Sequence, residues 1–297
     1  MAADRFTTDW KYNFFGRDIV GRLILINCIV FVFVELVGIF LMLFNVPYNP
    51  VASYLSLPSS LERFMYQPWS IVTYMFMHGG IFHILFNMLW LYWFGRLFLN
   101  FYSSKHLRGL YVLGGLCGGF LYMVSYNVFP YFEYTRDVAT LVGASASVLA
   151  IVVATAVREP DFPVQFMFIG TVRLKYVALF MVLFDLLFMT SSNAGGHIAH
   201  LGGAAAGFWF SLGLAKGNDA TKWINAVLDF FSGGFKMPKR KPKMKVHYGD
   251  RQQQYDYNAR KKADEDEINR ILEKLRKSGY GSLSEDEKKK LFDASRR

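Results

Sequence analysis

The chain has 297 residues, 53% of them hydrophobic and 29 of them Phe, with 33 Lys plus Arg against 23 Asp plus Glu for a formal net charge of +10. Apolar residues exceed the roughly 45–50% usual in soluble domains, so the composition excludes an ordinary soluble enzyme and points to a protein of the bilayer. The two cysteines, Cys28 and Cys117, both sit in apolar stretches, which excludes a disulfide framework.

Along the chain, residues 1–18 read as a cytoplasmic amino-terminal segment, followed by apolar runs near 19–44, 80–101, 108–127, 139–157, 175–191 and 197–215. Each can cross a hydrocarbon core about 30 Å thick, the shorter ones as helices surrounded by protein. The expected fold is an all-α membrane protein with a six-transmembrane-helix bundle over 19–215. The first run keeps Asn27 and Glu35 and meets no small-residue cleavage site before Pro47, so it reads as a retained span, with a mature chain expected to begin at or near Met1. The loop from about Val46 to Met77 contains Pro47, Pro50, Pro58 and Pro68 among Leu, Phe, Tyr and Trp. Prolines limit regular structure, and the apolar content predicts a loop that dips into the outer leaflet beside the second span.

Lys and Arg in short loops set the orientation. Arg5, Lys11, Arg17 and Arg22 precede or open the first span, Arg96, Lys105 and Arg108 follow the second, and Arg158, Arg173 and Lys175 follow the fourth. Both termini are therefore expected in the cytoplasm. Spans two, four and six then run from outside to inside, carrying His83 and Asn87, Ser145, and His200 within about two turns of their outer ends. With about 1.5 Å of rise per residue, these groups share one layer roughly 5–10 Å below the external face.

Small residues allow the helices to approach. Ala199, Gly203, Gly207 and Ser211 recur at every fourth position of span six, and Gly143 and Ser147 do so in span four, so the two ridges together would bring His200 to Ser145. A serine hydroxyl becomes a nucleophile when a base takes its proton, and histidine suits that task. Spans two, four and six hold no carboxylate, so the expected apparatus is a dyad in which Ser145 attacks and His200 serves as base and then as acid. Oxyanion donors, worth about 3–4 kcal/mol each, are expected from His83, Asn87 and the Ser145 backbone N–H. Asp185 lies about two turns from the outer end of span five, but depth alone does not set it beside His200. It could in principle orient His200, but a structural role, a protonated or hydrogen-bonded carboxyl facing neighbouring helices, is the preferred reading, and Glu35 and Asn27 are likewise read as structural polar groups. His197 reads as a residue of the mouth. His78, His83, His197 and His200 could converge, yet the helical zinc signature His-Glu-x-x-His is missing, and no metal or other cofactor is expected.

These residues resemble the rhomboid intramembrane serine proteases of bacterial type. His78-x4-His83-Ile-Leu-Phe-Asn87 is similar to their second-span motif, Gly143-Ala-Ser145-Ala146 to their Gly-x-Ser-x signature, and Ala199-His200-Leu-Gly-Gly203-x3-Gly207 to their sixth-span motif. The resemblance implies a serine endopeptidase that cleaves peptide bonds in or near transmembrane segments of other proteins, with Ser145 and His200 as the dyad and no cofactor. It also implies that His78, Gly143 and Gly203 shape the cavity. The chain departs from the family where Gly commonly follows the nucleophile and Ala146 stands, and where an aromatic often stacks on the histidine and Leu149 stands. Trp69-Ser70 replaces a common Trp-Arg, and no Glu occurs around Leu99. The competing readings are an inactive relative that binds membrane proteins without cutting them, against which the intact motif residues weigh, and a small-solute transporter, which should show internal repeats and broken helices.

From Lys216 onward there are 21 Lys plus Arg and 13 Asp plus Glu, leaving +8 of the +10 in this tail. Residues 216–245 read as an interfacial helix, with Trp223, Ile224, Val227, Leu228 and Phe231 at helical spacing, and a polybasic linker. The run from Lys236 to Lys245 is expected to bind anionic lipid at about 1 kcal/mol per charge. No nucleic-acid partner is expected, since neither aromatic interleaving nor a helix-turn-helix accompanies the run. Residues 246–297 read as a small soluble helical module. Ile268, Ile271, Leu272 and Leu275 form one apolar face, Gly279 and Gly281 break the helix, and Ser284-x-x-Glu287 is a capping box for a second. Two short helices bury little area, so the module is expected to dock on a partner protein or the cytoplasmic face. The whole is expected as a multi-pass protein of a bacterial cytoplasmic membrane.

Overall fold

The computed structural model describes residues 18–166, 170–231 and 251–294, and the Lys236–Lys245 run lies outside them. The chain divides into two units, Met1–Phe235 and Lys236–Arg297.

Among the described residues, four helices of the first unit are long and apolar enough to cross a membrane: α1 (Ile19–Leu43), α5 (Ile81–Phe98), α6 (Ser104–Val128) and α9 (Ala194–Ala215). The loop between the first two holds α2 (Pro50–Leu55), α3 (Leu61–Tyr66) and α4 (Ser70–Thr73). The fourth and fifth apolar runs form shorter helices of 14 residues each, α7 (Ser145–Arg158) and α8 (Leu174–Leu187). Fourteen residues span about 21 Å, less than the hydrocarbon core, and α7 tolerates this because protein surrounds it: Ala146 through Ala156 are all buried. It packs on α6, α9, α5 and α8. At the other extreme, α1 leaves Ile29, Phe33, Leu36 and Phe40 exposed, a face that lipid must cover. It is anchored to the bundle by buried Val20 and Leu23 and by buried Asn27, which donates to the Tyr111 hydroxyl at 3.0 Å.

The fourth run was expected to be helical from residue 139. Instead Thr140–Leu141 is extended, and the helix begins at Ser145. Gly143 at φ +129° supplies the turn between them, in a backbone region that L side chains rarely adopt.

Glycines set the distances between α6, α7 and α9. A Cβ on Gly203 would stand 2.1 Å from the Ala146 carbonyl oxygen, and one on Gly207 would stand 2.2 Å from that of Ala150. Span six therefore meets span four along Gly203 and Gly207 as expected. The surface it meets is made by Ala146 and Ala150, whereas Ser147 turns to α6, its Cα 3.2 Å from where a Cβ on Gly114 would be. The glycines of α6 complete the contact, since Gly118 leaves room for the Ala146 methyl and Gly114 for that of Ala150.

The proline-rich loop is more regular than its composition predicts. Pro50 opens α2 behind the side-chain cap of Asn49, where a missing N–H costs nothing. The loop also rests against α1, α6 and α7 rather than chiefly beside α5, because Met75, Ile71 and Tyr74 fill the surface left open by Gly115 and Gly119. Leu57–Pro58 (β1) pairs antiparallel with Thr140–Leu141 (β2) just ahead of Ser145. Ser59 extends this pairing, donating its backbone N–H to the Ala139 carbonyl at 3.1 Å and accepting from Asn127 Nδ2 at 2.8 Å.

After α7, Pro163–Phe166 (β3) and Gly170–Arg173 (β4) form a hairpin. The amphipathic helix α10 (Lys222–Phe231) buries Ile224 and Asn225 and exposes Trp223, Val227, Phe230 and Phe231. Arg108 at the start of α6 donates to Asn225 Oδ1 at 2.6 Å and to the Asp229 carboxylate, and this hydrogen bond holds the Asp229 carboxyl below the usual carboxylate range.

In the second unit, α11 (Arg251–Ser278) and α12 (Glu285–Ala294) form a helical pair. Gly279 turns the chain at φ +75°. The capping box forms as the residue types predict, with Ser284 N–H donating to Glu287 Oε2 at 2.8 Å and Glu287 N–H to Ser284 Oγ at 3.3 Å. Ile271 and Leu283 are its buried apolar residues, while Leu272 is exposed.

Candidate active site

Ser145 is the first residue of α7, after Ala144 as its N-cap. The first helical bond is Val148 N–H to Ala144 O at 2.9 Å, so the N–H groups of the opening turn have no partner within the helix. They point where the helix dipole favours negative charge. Upstream, the Gly143 N–H donates to the Tyr74 carbonyl at 3.0 Å, and Tyr74 hydroxyl donates to the Gly115 carbonyl at 2.7 Å, fixing the turn that presents the serine.

His200 reaches Ser145 from α9, its Nε2 2.6 Å from Ser145 Oγ. The approach depends on Gly203, one turn further along the same helix, where the two backbones are closest. His83, Asn87, Ser145 and His200 line one cavity of about 340 Å³ together with Phe82, Phe86, Val142, Asn193 and Gly196. Beneath it, Trp90, Val148, Leu149 and Met181 form an apolar floor around Ser145 and His200.

The second-span residues sit on this cavity in distinct ways. Gly79 N–H donates to His83 Nδ1 at 3.3 Å, which in a neutral ring leaves the proton on Nε2. That Nε2 lies beside Gly143, 2.9 Å from where a Cβ there would stand. Asn87 donates one N–H to the His83 carbonyl at 2.9 Å, and its amide has a second to offer. His78 is buried edge-on to His83, ring centroids 5.1 Å apart, with neither ring nitrogen hydrogen-bonded to protein among the described residues.

Asp185, read from the sequence as structural, and His197, read as a mouth or loop residue, both lie against His200. Asp185 on α8 faces α9, and its Oδ1 lies 2.8 Å from His200 Nδ1 and 2.8 Å from His197 Nδ1. His197 belongs to α9 itself and not to a loop at the mouth, since the helix begins at Ala194. Its ring lies beside the stacked pair Phe184 and Phe188, with centroids 5.8 and 6.0 Å away. The spacing of His197 and His200, three residues apart on one helix, was the available signal, but it does not reveal which face of α8 they meet. Asp185, His197 and His200 are also the described residues with ligand atoms close enough to hold a metal, all within 4.8 Å of one another. The four histidines do not converge as one set: His78 and His83 pair on the α5 side, and His197 and His200 on the α8 side.

A serine at the start of a buried helix is thus in contact with a histidine of a neighbouring helix at a cavity in an apolar bundle. The rhomboid-domain family model matches residues 66–217, and the chain belongs to the rhomboid family of multi-pass membrane proteins. A second model, for a family of unknown function (DUF6576), matches residues 254–297. A curated relative, the RHOMBOID-like protein 12, mitochondrial, of Arabidopsis thaliana, is 27% identical over an alignment of 207 residues that covers 66% of this chain. The chain spans 58% of that relative's length.

Proposed function

We propose that the protein is an intramembrane serine endopeptidase that cuts other membrane proteins in or near their transmembrane segments. The observation that carries this reading is the 2.6 Å contact between His200 Nε2 and Ser145 Oγ at the start of a buried helix. In the reaction, Ser145 Oγ attacks the scissile carbonyl carbon while its proton passes to His200 Nε2. The negative charge that develops on the carbonyl oxygen is met by the Ser145 N–H, His83 Nε2–H and the free N–H of Asn87. His200 then gives its proton to the leaving amine, and water attacking the acyl-enzyme regenerates the serine by the reverse transfers. Phe86 and Trp90 on α5 face Met181 on α8 across the apolar floor, a side from which an unwound substrate segment reaches the serine out of lipid.

The domain layout proposed with this function is a protease core over 19–215, a juxtamembrane segment over 216–245 that binds anionic lipid, and a tail over 246–297 that docks a partner. The competing reading is a relative that binds without cutting. Cleavage of a transmembrane model substrate by the purified protein separates the two. Ser145→Ala and His200→Ala should each abolish cleavage, with the double variant little worse than either, because the two groups act as a unit. A fluorophosphonate probe should label the wild type at Ser145. A wild type that neither cleaves nor takes the label would support the binder.

A further inference from the structure

We infer that Asp185 is the third member of the catalytic apparatus, a positioning residue that orients His200 through Nδ1, and that His197 holds Asp185 in place for that task. The inference rests on the Ser145–His200 reading and extends it from two residues to a relay of four.

The geometry is continuous. Ser145 Oγ lies 2.6 Å from His200 Nε2, His200 Nδ1 lies 2.8 Å from Asp185 Oδ1, and the same oxygen lies 2.8 Å from His197 Nδ1. A carboxylate only accepts, so both Nδ1 atoms carry hydrogen. A neutral His200 with its proton on Nδ1 has its lone pair on Nε2, aimed at the serine hydroxyl. That is the tautomer a general base requires. The opposite tautomer would turn a lone pair toward the carboxylate and a proton toward the serine.

Burial explains why two histidines serve one oxygen. Asp185 is 4% exposed inside an apolar helix, where an unpaired carboxylate is costly. Two N–H donors satisfy it, and the second donor, His197, packs on one side against the stacked rings of Phe184 and Phe188. His200 has few other restraints. The residue four positions beyond the nucleophile is Leu149, which lines the floor without offering a ring to stack on, and the ring nearest His200 is His197, edge-on at 6.0 Å. The imidazole is therefore held at its two nitrogens, by Ser145 on one side and Asp185 on the other. When His200 takes the serine proton, Asp185 keeps none and stabilises the imidazolium beside it. The titratable groups around His200 are Asp185 on α8, His197 on its own helix and His83 across the cavity on α5.

The test compares wild type with Asp185→Asn in cleavage of a transmembrane model substrate, following kcat and KM across pH. An amide at this position donates to Nδ1 and favours the wrong tautomer, so kcat should fall on the order of 10³-fold or more while KM changes little. The acid limb of the pH profile should move to lower pH, because the imidazolium loses its carboxylate. A merely structural role would leave that limb in place. Full kcat in Asp185→Asn, with the wild type cleaving and labelled at Ser145, would overturn the relay and leave the Ser145–His200 reading standing. An inactive, unlabelled wild type would sink that reading itself. Should Asp185→Asn fail to fold, ¹⁵N NMR of histidine-labelled wild type decides. His200 should carry its proton on Nδ1, and a proton on Nε2 would contradict the inference. Loss of wild-type activity on chelation, restored by Zn²⁺, would also contradict it by making the trio a metal site.

Discussion

Asn87 keeps one amide hydrogen on its own helix, donating to the His83 carbonyl at 2.9 Å, and only the other is free for an oxyanion. Asn87→Ala should therefore lower turnover roughly 10²-fold, the usual effect of losing one such donor. Asn87→Asp keeps the shape and removes the donors, so it should be at least as slow, with the unfolding temperature in detergent showing whether the fold survived. Unchanged turnover in both variants would assign Asn87 to packing. At this scale Ser145, His200, His83 and Asn87 were legible because polar residues in apolar runs stand out and a helical repeat gives their depth. Asp185 stood out equally, but its partners were hidden. Depth places a residue along the membrane normal and says nothing about rotation around its helix, which here decides whether the carboxyl meets lipid or two histidines.

The contact between α7 and α9 is made through backbone. With a Cβ on Gly203 landing 2.1 Å from the Ala146 carbonyl oxygen, even Gly203→Ala forces the helices apart, and Gly203→Leu should abolish both cleavage and probe labelling while lowering the unfolding temperature. A folded, fully active Gly203→Leu would mean that the approach of His200 to Ser145 does not depend on this crossing. The ridge on α9 was readable from its period of four. Its partner surface was not, because α7 is small on several faces, with Ala146, Ser147 and Ala150 all able to accept a neighbouring helix. The start of α7 was equally hidden: Thr140 and Leu141 are apolar enough to extend the run, yet they are drawn into a strand by Leu57 and Pro58. The helical capping box of α12 was the opposite case, a local pattern whose donors and acceptors lie within four residues and need no tertiary partner.

For the first unit as a whole, the turn that presents Ser145 is held by a remote part of the chain. Tyr74 receives the Gly143 N–H, Leu57–Pro58 pair with the segment before it, and Ser59 is in turn bound by Asn127 from α6. Helices α7 and α8 are too short to take their position from the full thickness of the hydrocarbon, whereas α1 is long and exposes much of its length. The bilayer can thus tilt or strain α1 while the level of Ser145 is referenced to protein alone. Hydrophobic mismatch, which costs only fractions of a kcal/mol per Å and is met by tilting of long helices, should accordingly be absorbed at the edge of the molecule. Labelling of Ser145 by a fluorophosphonate in vesicles of short-chain and of long-chain phosphatidylcholine should proceed at nearly the same rate. A rate that tracked acyl-chain length would mean that the lipid sets the height of the nucleophile. On this view the chemistry is indifferent to membrane thickness, and any dependence of substrate cleavage on it belongs to the substrate helix, whose scissile bond rises and sinks with the bilayer past a serine that stays where it is.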